Sequence, residues 1–296
     1  MQSLYTIEAQ EKDWKPGETT QILQKHLEET RELYVYLVYF MTELARYSER
    51  DASLRASKHL PTEEDLNVNI KLAGNEVLWR ILEDNSFKLA LDEFSPQNIN
   101  GTADLVRKLY QEMTETEIYR KYISEEGREK KSERQIMEFV FNDIMLPNEL
   151  FISQIEEHFS NWDDDAEMLQ QMVLQYIARP GNSDFQNLLT PEKREFGFTL
   201  LRTVLEKREQ TMELIRPRLK NWDSERIAVL DMLLMQMGIC EFLYFETIPP
   251  KVTINEYIDL AKEYSTPQSG QFVNGILDNI HKELVSQNKL HKVNFR

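Results

Sequence analysis

Pro249 and Pro250 stand side by side and dictate how the C-terminal third of this 296-residue chain can fold. Proline has no N–H to donate and holds the residue before it extended, so a helix running up to Ile248 must stop there. The next stretch, Lys251-Val-Thr-Ile-Asn-Glu-Tyr-Ile-Asp-Leu-Ala-Lys262, restarts one. Thr253 and Glu256 have the spacing of a capping box, and Ile254, Tyr257, Ile258 and Ala261 fall at i, i+3, i+4 and i+7. Thr266 ahead of Pro267 repeats the start signal, a cap and then proline at the first helical position. Phe272, Val273, Ile276, Leu277 and Ile280 carry the apolar stripe of the helix that follows. Gly275 interrupts that stripe at a cost of about 1 kcal/mol relative to alanine, which predicts a close helix contact there. The stretch from Trp222 to Leu284 is therefore expected to be packed helices with sharp joints.

The rest of the chain reads the same way. Met1 to Lys12 forms a short helix with Leu4, Tyr5, Ile7 and Ala9 apolar, ended by Trp14-Lys-Pro-Gly17. A long helix runs from about Glu18 to Arg55, with Ile22, Leu23, Leu27, Leu33, Tyr34, Leu37, Val38, Met41, Leu44 and Ala45 on one face. Five aromatics crowd it (Tyr34, Tyr36, Tyr39, Phe40, Tyr47) and read as bundle core in preference to a base-stacking platform. Residues 60–69 are a polar connection, and further helices are expected near 75–91, 102–124, 131–146, 148–160, 164–178, 191–219 and 223–244. Ser124 to Lys131 is a charged, solvated turn. No stretch alternates with period two, so the fold class is all-α, a multi-helix bundle.

A faint repeat has an offset of 60 residues, with Asn161-Trp-Asp163 recurring as Asn221-Trp-Asp223. Phe141, Ile144, Ile155 and Phe159 align with Leu201, Val204, Ile215 and Leu219; Leu169, Val173 and Leu174 align with Val229, Leu233 and Leu234. Duplication of a helical unit explains this as well as chance similarity in a helix-rich chain does. In both copies the tryptophan anchors a helix joint and the aspartate is an N-cap.

The chemistry-bearing residues point away from catalysis. His26, His59, His158, His281 and His291 are scattered with no metal-ligand spacing, and Asp163-Asp-Asp165 lacks the glycine turn of a calcium loop. There is no phosphate loop, dinucleotide turn or nucleophile elbow. Cys240, alone on an apolar helix, reads as a packing thiol and suits a reducing compartment. The apolar run from Leu33 to Met41 is too short to span a bilayer and Met1-Gln-Ser-Leu-Tyr is unlike a signal peptide, so a cytoplasmic location is expected. Net charge is −16, which argues against a general nucleic-acid binder. Residues 216–296 hold ten Lys/Arg and ten Asp/Glu, whereas residues 1–215 hold 25 against 41. A neutral C-terminal region on an acidic body permits local contact with RNA.

Val252-x-Ile254-Asn-Glu256 leading to Leu260-Ala-Lys262, then Phe272-Val-Asn-Gly275 and Leu277-Asp278, resembles the C-terminal half of the NusB transcription antitermination family. The resemblance covers residues 190–285 and touches the first dozen. It implies a division into a first helix at 1–12, a helical insertion at 13–189, a NusB-like RNA- and partner-binding domain at 190–285, and a polar tail at 286–296. It implies a non-enzymatic factor without cofactor or metal, which holds boxA-type RNA together with the ribosomal small-subunit protein NusE in the transcription elongation complex, chiefly on ribosomal RNA transcripts. Gln2 and Tyr5 resemble part of the family's first helix, and Gln268, Ser269, Gln271, Phe272 and Asn274 its RNA-contacting loop. Aromatic faces and amides are suited to unpaired bases, though Phe272 could equally be buried and Asn274 could satisfy backbone. Asp231 and Glu241 stand where the family carries acidic residues, which implies a role in receiving NusE; surface salt links are the alternative.

Two departures bear on this. The family's arginine-rich lead is absent, which suggests that Met1 is an internal methionine and that the natural chain starts roughly ten residues earlier with basic residues. Gln271 also replaces a lysine common in the family. The acidic balance and the missing arginines favour an alternative reading, a helical protein-binding adaptor without RNA affinity, and the retained Ser269–Asn274 loop disfavours it. A NusB-like domain also precedes the catalytic domain of some ribosomal RNA cytosine methyltransferases, but nothing after Leu284 supplies a cofactor-binding domain.

Overall fold

The computed structural model describes residues 1–293 except Glu11, Pro16 and 220–226, and at Glu64 the backbone alone. Among these residues there is no strand, and the chain is all-α. Its helices in order are α1 (Gln2–Ala9), α2 (Glu18–Ala56), α3 (Glu63–Leu66), α4 (Glu76–Glu83), α5 (Asn85–Phe94), α6 (Thr102–Thr114), α7 (Glu117–Ser124) and α8 (Lys130–Phe139). After α8 comes a π-helical stretch (Val140–Met145), then α9 (Glu149–His158), α10 (Trp162–Ala178), α11 (Pro191–Glu206), α12 (Arg208–Ile215), α13 (Val229–Tyr244), α14 (Pro250–Tyr264) and α15 (Ser269–Ser286). The chain divides into two compact units: unit 1 is Met1–His26 with Leu189–Arg296, and unit 2 is Leu27–Leu188.

Unit 2 is organised on α2, where Leu33 to Val38, Phe40 and Met41 are all buried. Rings from several helices close round it: Tyr34 stacks on Phe185 at 4.7 Å, Phe40 meets Phe151 at 4.5 Å and Tyr47 meets Tyr110 at 5.0 Å. The phenol hydroxyls need partners in that core; Gln154 Nε2 donates to Tyr36 at 2.7 Å, and Tyr176 donates to Asp84 at 2.7 Å.

Three stretches expected as single helices break in the structure, one of them 191–219, which divides at Lys207 into α11 and α12. At residues 75–91 the expected single helix is two, because Asp84 is extended and its carboxylate accepts the Ser86 N–H, capping α5. At 102–124 Thr116 does the same, accepting the Tyr119 N–H. Asp163 is not an N-cap: α10 begins at Trp162, and Asp165 instead accepts from Asn161 Nδ2 at 2.7 Å and Thr30 Oγ1 at 2.6 Å. Trp162 itself is buried, as an anchor should be. The second Asn-Trp-Asp lies outside the described residues.

Unit 1 is organised on α13. Ten consecutive residues, Leu233 to Phe242, are buried, as expected of a helix that is apolar all round. α1, α11, α12, α14 and α15 all pack on it. Gly238 and Gly270 make the closest approaches. A Cβ on Gly238 would lie 2.9 Å from Leu277 Cδ2 and 3.3 Å from Tyr257 Cδ2; one on Gly270 would lie 2.9 Å from Lys262 Cγ. Gly275, expected at a close contact, faces open space instead.

Candidate functional site

The site builds upward from the two carboxylates of α13. They are ten positions apart, about 15 Å along the axis, and both are buried. Each is bonded inside the unit, so neither makes the surface salt link that was one expectation.

Asp231 Oδ2 accepts the Ser269 hydroxyl at 2.7 Å, while its Oδ1 is buried with no partner among the described residues. Ser269 Oγ in turn accepts the Thr266 N–H at 3.2 Å and lies 2.8 Å from Thr266 Oγ1 and 3.0 Å from Ser265 Oγ. The corner between α14 and α15 is thus fixed from beneath by one carboxylate. Thr266 shares in this network, and α15 itself starts two residues beyond Pro267, at Ser269.

At the other end, Glu241 accepts Thr253 Oγ1–H at 2.8 Å and Tyr257 O–H at 2.6 Å. This overturns the expected capping box: α14 starts at Pro250, so Thr253 is already inside it and spends its hydroxyl on Glu241. Burial pushes the Glu241 carboxyl above the usual carboxylate range, against the pull of the two hydroxyls. Lys292 Nζ donates to the carbonyls of Glu241 and Phe245 at 2.8 and 2.7 Å, closing the C-terminus of α13. Cys240 beside it is fully buried, and desolvation raises its thiol to about 12, so it is no nucleophile.

What this frame presents outward is a row of amides. Gln268, Gln271 and Asn274 are exposed at i, i+3 and i+6 along the start of α15, with the bare Gly275 beside the last. Phe272 is half-buried against the core of the unit. Ser269, in the middle of the same loop, is buried. On α1, Tyr5 is half exposed and Gln2 partly so, while Leu4 and Ile7 turn into the core. No Lys or Arg lies on α1. Of the nine residues singled out in the sequence, Ser269, Asp231 and Glu241 therefore face inward and the other six reach solvent to some degree. Among the described residues no group of three His, Cys, Asp or Glu side chains could hold a metal ion, and no helix is long and apolar enough to cross a membrane.

The NusB family model matches residues 151–282, which takes in α9 through most of α15. The transcription antitermination protein NusB of Salinibacter ruber is 44% identical over 102 residues, 34% of this chain and 64% of that protein. Its counterpart in Chloroherpeton thalassium is 41% identical over 99 residues, 33% of this chain and 47% of the relative. That of Methylacidiphilum infernorum is 46% identical over 83 residues, 28% and 58% respectively. The chain thus spans between 47% and 64% of the length of these relatives. Through this C-terminal region the chain belongs to the NusB family.

Proposed function

We propose that this chain is a cytoplasmic transcription antitermination factor, whose unit 1 holds boxA-type RNA jointly with NusE in the transcription elongation complex, chiefly on ribosomal RNA transcripts. The observation that carries the reading is the amide row of Gln268, Gln271 and Asn274, standing on a helix start that Asp231 and Ser269 fix from below. Side-chain amides donate and accept at once, which suits base edges and 2′-hydroxyls, and the exposed part of Phe272 offers a stacking face. Gly275, with no side chain and open space in front of it, lets a ribose–phosphate backbone approach the helix closely. Tyr5 and Gln2 extend the same chemistry on α1. Asp231 and Glu241 act as positioning residues: they set the α14–α15 surface offered to NusE from inside. The reading assigns no cofactor and no catalytic step.

The adaptor reading has its own support, since α1 carries no cation and unit 2 holds 32 acidic against 17 basic side chains. Binding of a boxA-type RNA, with and without NusE, at two salt concentrations separates the two. The antitermination reading expects NusE-enhanced binding that weakens roughly tenfold in the double variant Gln271→Ala/Asn274→Ala, the loss of about two hydrogen bonds. NusE bound without RNA would select the adaptor. Binding of neither would end both.

A further inference from the structure

Unit 2 has an excess of 15 acidic side chains, yet one groove on it is lined by more cations than carboxylates. The groove, about 380 Å³, lies between α4, the start of α8 and the end of α10, and Arg80, Lys130, Lys131 and Arg134 line it together with the carboxylates Glu76 and Glu133. Those carboxylates are engaged. Glu133 is buried, accepting the Tyr122 hydroxyl at 2.7 Å and the Glu76 N–H at 2.7 Å; Glu76 pairs with Arg80 along its own helix at 2.5 Å. Arg134 pairs with Glu138 at 3.1 Å. Lys130 and Lys131 are exposed, and among the described residues neither ammonium has an ion pair or a hydrogen bond. The lining is net positive by two charges in a unit where such a face is the exception.

On α4, which forms one wall of this groove, an aromatic is left half exposed. Trp79 is on α4, one position before Arg80, and is 49% exposed. Single exposed hydrophobic residues are ordinary on a protein surface; this one is an indole on the helix that supplies Arg80 to the groove. Cations that follow a phosphate backbone, with an aromatic face on which an unpaired base can stack, are the two parts of a single-strand nucleic-acid surface. An acidic protein segment would satisfy the cations but leaves Trp79 without a role.

We infer that the α4–α8 groove of unit 2 binds the phosphate backbone of single-stranded RNA, with a base stacked on Trp79. The inference rests on the RNA-binding reading above and deepens it: the insertion supplies cations that α1 lacks.

The test uses the full chain and a fluorescein-labelled boxA-type RNA with a single-stranded flank, with anisotropy read over a salt series. Lys130→Gln/Lys131→Gln should weaken binding about tenfold at low salt and make the log–log salt slope shallower by about 1.4, at about 0.7 for each lost phosphate contact on a single strand. Lys130→Arg/Lys131→Arg should bind as the parent does. Trp79→Ala should weaken binding about fivefold or more, and RNA should quench a tryptophan signal that Trp79→Phe removes. These positions are exposed, and unchanged circular dichroism checks that each variant is folded. If the groove variants keep parental affinity while Gln271→Ala/Asn274→Ala loses it, the groove inference falls and the unit 1 site stands. If the groove variants lose affinity while Gln271→Ala/Asn274→Ala does not, the groove stands and the unit 1 site falls. If the parent binds no RNA, both fall, and quenching of Trp79 by polyglutamate would then assign the groove to an acidic protein segment.

Discussion

The middle of α2 in unit 2, Leu33 to Ala45, and the middle of α13 in unit 1, Leu233 to Phe242, are both largely buried, and they fill their surroundings by opposite means. Round α2 the space is taken by rings: Tyr34, Tyr36 and Phe40 are fully buried and meet Phe185, Phe159 and Phe151 at centroid distances of 4.7, 5.2 and 4.5 Å. Round α13 there is little space to take. Gly238 lets Leu277 and Tyr257 come within what would be 2.9 and 3.3 Å of a Cβ, and Met235, Met237 and Cys240 fill the remainder. Their polar groups differ in kind as well. α2 buries the Tyr36 hydroxyl, partnered by Gln154 and Thr102, and a cation, Arg31, paired with Glu28 and Glu93; α13 buries two carboxylates, each holding one neighbouring helix. An aromatic core tolerates variation in how far apart its helices stand. Close glycine contacts and buried carboxylates do not, and they lie beneath the surface proposed to read RNA. The difference assigns bulk to unit 2 and fixed geometry to unit 1.

That contrast breaks if the two hubs respond alike to substitution. The largest effect is expected from Phe40→Ala, which empties a fully buried ring site and should cost about 3–5 kcal/mol. Hydrogen exchange should show the loss in unit 2 peptides; equal loss of protection in unit 1 would mean that the units unfold as one and the comparison fails. Next is Ser269→Ala. It strips Asp231 of its one partner among the described residues, leaving a buried carboxylate with none there, for about 1.5–3 kcal/mol. Loss of amide protection should be greatest at 265–272, and a uniform change across unit 1 would remove the role of Asp231 as a local fastener. Gly238→Val follows at about 1–3 kcal/mol, since overpacking outweighs the helix propensity gained. A more stable Gly238→Val protein, by thermal melting, would show that α14 and α15 can move aside and that the close packing is not a constraint.

Much of this division was legible in the chain and part was not, for reasons of geometry. Apolar runs announce their helices, so α2 and the apolar helix that carries Cys240 were both expected as helices, but not as the centres on which each unit packs. Period alone did not reveal the breaks at Asp84 and Thr116, because the apolar stripe continues through both and only a cap acceptor marks the stop. Glycine was misassigned for a related reason. Gly275 was given the close contact, whereas Gly238 and Gly270 make it; spacing places a residue on a helix face but does not say which neighbour that face meets. A signal for the two carboxylates was present. Asp231 and Glu241 are the charged residues of an otherwise apolar helix, and such a helix has no solvent face to give them. Thr253 looked like a cap, but its hydroxyl serves a carboxylate twelve residues back across the proline break. The Trp79 groove was invisible because Arg80 and Lys130 are 50 residues apart.

The smallest expected effect is the most specific to α13. The Glu241 carboxyl titrates above the ordinary value of 4.5 for a glutamate, chiefly because burial disfavours its charged form. Folded protein therefore binds more protons than unfolded protein between the two values, so Glu241 makes stability fall as pH rises from 4.5 through the raised folded value, and contributes no further slope above it. Glu241→Gln removes that titration while keeping a side-chain acceptor for Thr253 or Tyr257. Its melting temperature relative to the parent should be lowest at the acid end and rise across this window, then hold constant. Tyr257 sharpens the test: its hydroxyl donates to Glu241 and favours the charged form, so Tyr257→Phe should raise the carboxyl further and carry the same fall to higher pH. A parent–variant difference that stays flat with pH would mean that the carboxylate is fully compensated by its two hydroxyls, and α13 would then differ from α2 in packing but not in electrostatics.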